Sequence, residues 1–410
     1  MARCGRPPRD RRRVETLSAG ILPYGRQTIE DDDVAAIAAA MRGDFLTTGP
    51  TVAKFEAAFA TATGAAHAVA SNSGTAALHL AALALDLGPG DAAIVPSVTF
   101  LATANAVRMT GADVAFADVD PETGLLRPAD MLDALARARA RGWRVRAAFP
   151  VHLNGRICDM PALAEAARPH GMALVEDACH ALGAADVGAC RHSFAAVFST
   201  HAVKAIATGE GGVTTTADRQ AARRMAALRS HGMERDPTAF VDRAAAFDDN
   251  VPNPWYYEMP EIGWNYRLPD VLCALGLSQL PKLARFQARR QAIAALYDRL
   301  LAPLAPMLRP VPREGAAHGL HLFAVLVDFA ALGTTRRRFV EALRADGIGT
   351  QVHYKPVHTQ PYYVERYGTL TLPGADAYYA RCLSIPFYPT LSDADVERVA
   401  NSLARLVAAR

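Results

Sequence analysis

The chain has 410 residues, of which 51% are hydrophobic and 21% charged, a balance that supports one or two buried cores and excludes a disordered protein. The net charge is +3, but residues 1–20 hold six Arg against one Asp and one Glu; the remainder is nearly neutral and lacks the basic footprint of a nucleic-acid binder. Cys4, Cys158, Cys179, Cys190, Cys273 and Cys382 form no CxxC and no Cys/His cluster of zinc spacing, so they read as scattered thiols of a reducing compartment, with no metal site.

Residues 1–20 read as a basic, disordered extension. They contain no apolar core of a secretory signal, and no run elsewhere reaches membrane-spanning length. The expected location is the cytoplasm. From about 65 to 230, short apolar runs alternate with helical patterns. Strands are expected at 67–70, 93–96, 114–117, 146–151, 173–176 and 195–199. Helices are expected at 74–87, 100–109 and 160–169. Alternation of this kind predicts an α/β fold with a mostly parallel sheet, whose ligands bind beyond the carboxyl ends of the strands.

Residues 233–262 are rich in Pro, Asp and aromatics and read as a long ordered loop. A long amphipathic helix starts at Asp270, with Pro281 expected to kink or break it. Strand and helix patterns alternate again towards the end of the chain (LHLFAVLVDF, then TRRRFVEALRADG). The expected organisation is a large domain over 21–270, then a connecting helix and a smaller C-terminal α/β domain over 271–410.

The residues that carry chemistry sit at strand ends. In FSTHAVKAIATGEGG, Lys204 stands between a strand end and a turn rich in glycine. A lysine there can form a Schiff base with an aldehyde cofactor and later shuttle protons. Asp177, at the end of LVED, can keep a pyridine nitrogen protonated, because an opposite charge favours the charged ring. His180 can hydrogen-bond a phenolic oxygen. Ser73, Gly74 and Thr75 fall where a strand turns into a helix, and an exposed helix N-terminus suits a phosphate. Ser199 can add a hydroxyl, and Phe100 can stack on an aromatic ring. Each residue also has an ordinary role open to it: an exposed lysine, a capping aspartate, a packed histidine, a plain N-cap, a core phenylalanine. As a set they fit pyridoxal 5′-phosphate (PLP).

These stretches resemble the DegT/StrS sugar aminotransferases, PLP enzymes of the aspartate-aminotransferase-like fold type I, over roughly residues 22–405. The resemblance rests on SxHxxK…TGEGG, EDA, SGT and GWNYR. It implies Lys204 as the cofactor lysine and Asp177 as the pyridine partner. It implies Ser199, Gly74 and Thr75 as phosphate ligands, and Asn265 as a residue that reaches the phosphate in a neighbouring subunit. A homodimer with shared active sites is therefore expected.

LPYGRQTI, DFLTTGP, EDACHALGA, NPWYYEMPEIGWNYRLPD and VHYKPVHTQPYY resemble the branch of the family that serves pseudaminic acid synthesis. That branch makes UDP-4-amino-4,6-dideoxy-N-acetyl-β-L-altrosamine from a UDP-4-keto sugar and glutamate. The resemblance implies Tyr24, Leu46, Thr47, Thr48 and Gly49 near the substrate, with His353, Tyr354, Lys355 and Pro356. Arg26 and Lys355 suit a diphosphate; Tyr24, Trp255, Tyr256 and Tyr354 suit a base or sugar face, or else make dimer or core contacts. Thr200, Ala202 and Ala207 depart from the usual pattern without removing a catalytic group. Other readings are the same chemistry on a dTDP- or GDP-linked sugar, a sugar dehydratase, or a non-catalytic PLP-binding regulator. Lys204 argues against the dehydratase, whose relatives carry His there.

Overall fold

The computed structural model describes residues 20–313 and 318–409. The expectation for residues 1–19 falls outside them. Seven strands build the main sheet: β1 (His67–Ser71), β2 (Asp91–Pro96), β3 (Asp113–Ala117), β4 (Arg144–Ala148), β5 (Ala173–Asp177), β6 (Ala195–Ser199) and β7 (Gly212–Thr216). Their order is β1-β7-β6-β5-β4-β2-β3. The pairs among β2 to β6 are parallel, and β7 runs antiparallel to both β1 and β6. All strands but β7 therefore point the same way.

Burial on both faces explains the apolar runs. Every residue of β2 is buried, as are four of five in β6. Helices Gly74–Ala84, Leu101–Met109, Pro128–Ala140 and Met160–Ala167 cover the sheet. Their many alanines favour helix and let it pack closely.

Several expected limits move. The strand expected at 146–151 is Arg144–Ala148, and Phe149–Val151 leave the sheet as a loop. The first helix stops at Ala84 and the third at Ala167, before a tight turn holding Pro169. Phe100 caps its helix rather than joining it. β7 was not expected, because GVTTT has little apolar signal and its threonines are buried by sheet neighbours.

Residues 233–262 carry a short helix (Arg243–Ala246) and a small hairpin, β8 (Phe247–Asp248) with β9 (Val251–Pro252). The helix from Asp270 breaks where Pro281 lacks an N–H to donate: Asp270–Gln279, one tight turn, then Leu283–Leu301. Beyond it, β10 (Leu308–Pro310), β11 (Phe323–Val327) and β12 (Cys382–Ile385) form an antiparallel sheet. That sheet shares a core with Leu283–Leu301 and Asp393–Ala408 through Tyr297, Phe323, Phe387 and Leu403. Among the described residues no helix is long and apolar enough to cross a membrane, and no group of side chains could hold a metal ion.

Candidate active site

Strand register brings the site together. Ser71 of β1, Gly212 of β7 and Ser199 of β6 are direct cross-strand neighbours. Asp177 ends β5, two residue positions back from Ser199 in the β6 register. The carboxyl ends of three parallel strands thus open onto one cavity of about 630 Å³.

One wall is the N-terminus of helix Gly74–Ala84. Ser73 is its N-cap, and its Oγ accepts the N–H of Ala76 at 3.1 Å, which leaves its own proton to donate. The first N–H groups, on Gly74 and Thr75, have no carbonyl of their own helix to reach. Ser199 Oγ accepts the His201 N–H at 3.3 Å and likewise keeps its proton. A Cβ on Gly74 would sit 3.0 Å from Ser199 Cβ, and one on Gly212 only 2.3 Å from Ser73 O. Glycine at these places lets three strands and a helix end close into a cup of donors, an arrangement that suits an anion.

Asp177 is buried. Its Oδ2 accepts the Thr103 hydroxyl at 2.7 Å, and its Oδ1 accepts the Cys179 N–H at 3.2 Å. Lys204 is half-buried on the loop after β6. Burial lowers its pKa, and the negative charge of nearby Asp177 works the other way. Burial first, then the same Asp177, raises the Cys179 thiol well above its usual range, so it is an inert lining group.

His180 is held at both nitrogens. The Asn154 N–H donates to Nδ1 at 3.2 Å, so Nε2 carries the proton and faces the Tyr354 hydroxyl at 3.2 Å. Burial, reinforced by Lys204 and His353, keeps its pKa well below that of free histidine. His353 Nδ1 lies 2.8 Å from Ser384 Oγ, and burial lowers its pKa to about 3. Burial raises the Tyr354 phenol well above its usual range.

The cavity gathers most of the expected residues. Ser73, Gly74, Thr75 and Ser199 line it, as do Phe100, Asp177, His180 and Lys204. Tyr24, His353 and Tyr354 complete its rim. Phe100 is 56% exposed, so its ring has a free face. Other expected residues lie elsewhere in the same chain. Leu46, Thr47 and Thr48 are exposed on the segment before helix Pro50–Thr63, and Gly49 caps that helix. Asn265 is exposed, with its carbonyl accepting from Asn72 Nδ2 at 3.3 Å. Lys355 is exposed and Pro356 buried, both outside the cavity lining. Arg26, Trp255 and Tyr256 also lie outside it.

Sequence reasoning missed four residues. Thr99 and Thr103 stand one helical turn apart in TFLAT, a spacing that could have suggested a pair. Asn154 adopts φ +62° and accepts from the N–H groups of His321 and Leu322 at 3.2 and 3.4 Å. Its Asn-Gly dipeptide is a turn signal that could have been read. His321 lines the cavity with its ring 4.8 Å from that of His180, and nothing in LHLF announces it.

Residues 27–404 match the DegT/DnrJ/EryC1/StrS aminotransferase family. The chain belongs to that family. It is 37% identical over 392 residues to the spore coat polysaccharide biosynthesis protein SpsC of Bacillus subtilis, covering 94% of this chain and 97% of SpsC. Its structure is similar to that of Helicobacter pylori PseC, an aminotransferase of pseudaminic acid biosynthesis, at 27% identity and a TM-score of 0.83, covering 95% of this chain and all of PseC. It is also similar to DesI, solved with its TDP-sugar product, at 31% identity and a TM-score of 0.81, over 95% and 93% of the two chains. The fold is that of the PLP-dependent aminotransferases, and the chain is a PLP-dependent sugar aminotransferase. The donor cup, the buried carboxylate and the lysine of lowered pKa fit that cofactor.

Proposed function

We propose that this aminotransferase moves the amino group of glutamate to C4 of a UDP-linked 4-keto-6-deoxy-N-acetylhexosamine, giving UDP-4-amino-4,6-dideoxy-N-acetyl-β-L-altrosamine. The observation that carries this reading is the 3.2 Å contact of His180 with Tyr354. It joins EDACH and VHYKP, two stretches that separately resemble the pseudaminic branch, in one wall of the cavity. The similarity to PseC supports the same reading.

Bound PLP supplies an aldehyde that captures amines and a ring that accepts the electron pair of a broken C–H bond. Lys204 is the residue that holds it covalently. Once released, its amine is a base, because burial has lowered its pKa. It takes the proton from Cα of glutamate and, in the second half of the cycle, delivers one to C4 of the sugar. Asp177 would pair with the ring nitrogen and favour its charged form. Ser73, Gly74, Thr75 and Ser199 would hold the phosphate, and Phe100 would stack on the ring. His180, whose Nε2 faces the Tyr354 hydroxyl at 3.2 Å, would hydrogen-bond the cofactor's phenolic oxygen.

The dimer belongs to this reading. Phe45, Leu46, Trp255, Met259 and Ile262 are each about half exposed or more, around segments that miss their own cavity. A second copy that covers them would bring Leu46, Thr47, Thr48 and Asn265 to its neighbour's site, beside the exposed Lys355, while Pro356 stays buried behind it.

Purified protein with PLP and glutamate, given the β-L-arabino and α-D-xylo UDP-4-keto sugars and a TDP-4-keto sugar in separate tubes, tests the proposal by mass spectrometry. Amination of the L-arabino compound alone is expected. Amination of the TDP-sugar alone, the outcome that the likeness to DesI favours, would overturn it. Lys204→Ala removes the proton carrier and is expected to abolish turnover on every acceptor.

A further inference from the structure

Asp177 does not stand alone in the buried wall of the cavity. Thr103, fully buried on helix Leu101–Met109, places its Oγ1 2.7 Å from Asp177 Oδ2. The same Oγ1 lies 2.7 Å from Thr99 Oγ1 and 3.3 Å from the Phe100 carbonyl. A hydroxyl has one proton to give. A carboxylate at 2.7 Å outcompetes a neutral carbonyl at 3.3 Å, because charge-assisted bonds are shorter and about twice as strong. Thr103 therefore donates to Asp177, and Thr99, 1% exposed, donates to Thr103. The result is a one-way chain of hydroxyls, Thr99 to Thr103 to Asp177. With the Cys179 N–H on the other oxygen at 3.2 Å, both carboxylate oxygens are fixed.

We infer that Thr103 is a positioning residue for the cofactor's ring nitrogen: its hydroxyl, supported by Thr99, holds Asp177 as an oriented carboxylate, so that the proton shared with the ring stays on the ring. The inference rests on Asp177 facing that nitrogen. The physical reason is differential. A donated hydrogen bond stabilises the ionised carboxylate and not the protonated acid, so it favours the charged pair over the neutral pair. Without the donor, the proton shifts towards the carboxyl group and the ring becomes a poorer electron sink.

The test uses holoenzyme reconstituted with PLP labelled with 15N in the ring, for wild type, T103V, T103S and D177N. The 15N shift of the ring nitrogen reports its protonation directly, and kcat is measured beside it. T103V, nearly the same shape without the hydroxyl, is expected to move the shift towards the unprotonated value and to lower kcat about 10- to 100-fold, the effect of a lost hydrogen bond to a charged group. T103S keeps the donor and should stay near wild type, while D177N should move furthest. A wild-type shift in T103V with a displaced D177N overturns the role of Thr103 and leaves that of Asp177. T103S as impaired as T103V also overturns it, because packing of the methyl would then be the cause. D177N indistinguishable from wild type removes the premise and the inference together. Should T103V fail to fold, T99V decides: a smaller displacement in the same direction is expected, and none refutes the chain.

Discussion

Replacing Gly212 by alanine puts a methyl group where the fold has no room. The new Cβ would lie 2.3 Å from Ser73 O, 2.6 Å from Ser73 C and 2.7 Å from Gly74 N. All three are backbone atoms at the helix N-terminus that lines the cavity, so no side chain can swing aside. β7 cannot slide away either, because β1 and β6 hold it on both edges. The strain must be relieved by moving the helix N-terminus off the strand. Overpacking of this kind costs about 1–3 kcal/mol. If the cup takes the movement, that converts to roughly a 5- to 150-fold loss of PLP affinity. The assay is titration of the apoprotein with PLP, with thermal unfolding of the apo and holo forms alongside. The expected result is weaker PLP binding and a smaller melting-temperature gain on adding PLP. Unchanged PLP affinity, with the apoprotein simply less stable, would show that the strain is taken up away from the cup and would refute the reasoning.

Two further outcomes follow from the geometry. His353 has a folded pKa of about 3 against 6.5 when free, so the unfolded chain binds a proton that the folded one rejects. Its share of stability is present above pH 6.5 and declines as pH falls towards 3. At pH 5 the loss is about 2 kcal/mol from this residue. His79, lowered to about 4 by burial, adds to the same window. Calorimetry should show the melting temperature dropping from pH 7.5 to pH 5 and dropping less in His353→Gln; equal drops would contradict the argument. Asp270 is buried and accepts the N–H groups of Gly49 and Thr51 at 2.8 and 2.9 Å, which ties the end of the 46–49 segment to helix Asp270–Gln279. Asp270→Ala leaves both donors without that partner, at about 1–2 kcal/mol. It is expected to raise KM for the sugar while the absorbance of bound PLP is unchanged, and an unaltered KM would separate this segment from the substrate.

Fold and site were not legible to the same depth. β1 to β6 could be read because burial on both faces demands apolar residues, and that demand is local. β7 escaped because threonine satisfies a buried position by hydrogen-bonding, as Thr214 Oγ1 does to the Ala77 carbonyl at 3.1 Å. That Lys204, Asp177 and the Ser73–Thr75 turn share one cavity could be read because residues at the carboxyl ends of neighbouring parallel strands lie along one edge of the sheet. Thr103 acquires its role only by meeting Asp177, 74 residues away, and Asn154 by presenting a backbone N–H to His180, 26 residues away. Neither identity nor spacing encodes those meetings. The position of Leu46, Thr47 and Thr48 outside their own cavity is likewise set by how the chain is arranged in space.

The antiparallel strand also sets a schedule. β1 stands at the edge of the sheet, and β7 is its only neighbour there among the described residues. Ser71 and Gly212 are 141 residues apart in the chain. At about 5–20 residues per second, a ribosome takes roughly 7–28 s to make the chain between them. Through that interval β1 has no partner for its backbone, and an open edge is a template for the wrong strand. The segment that later leads into the cavity wall is thus exposed to mispairing during synthesis. A nascent chain halted before residue 212 should bind holdase chaperones more readily than one released beyond 216.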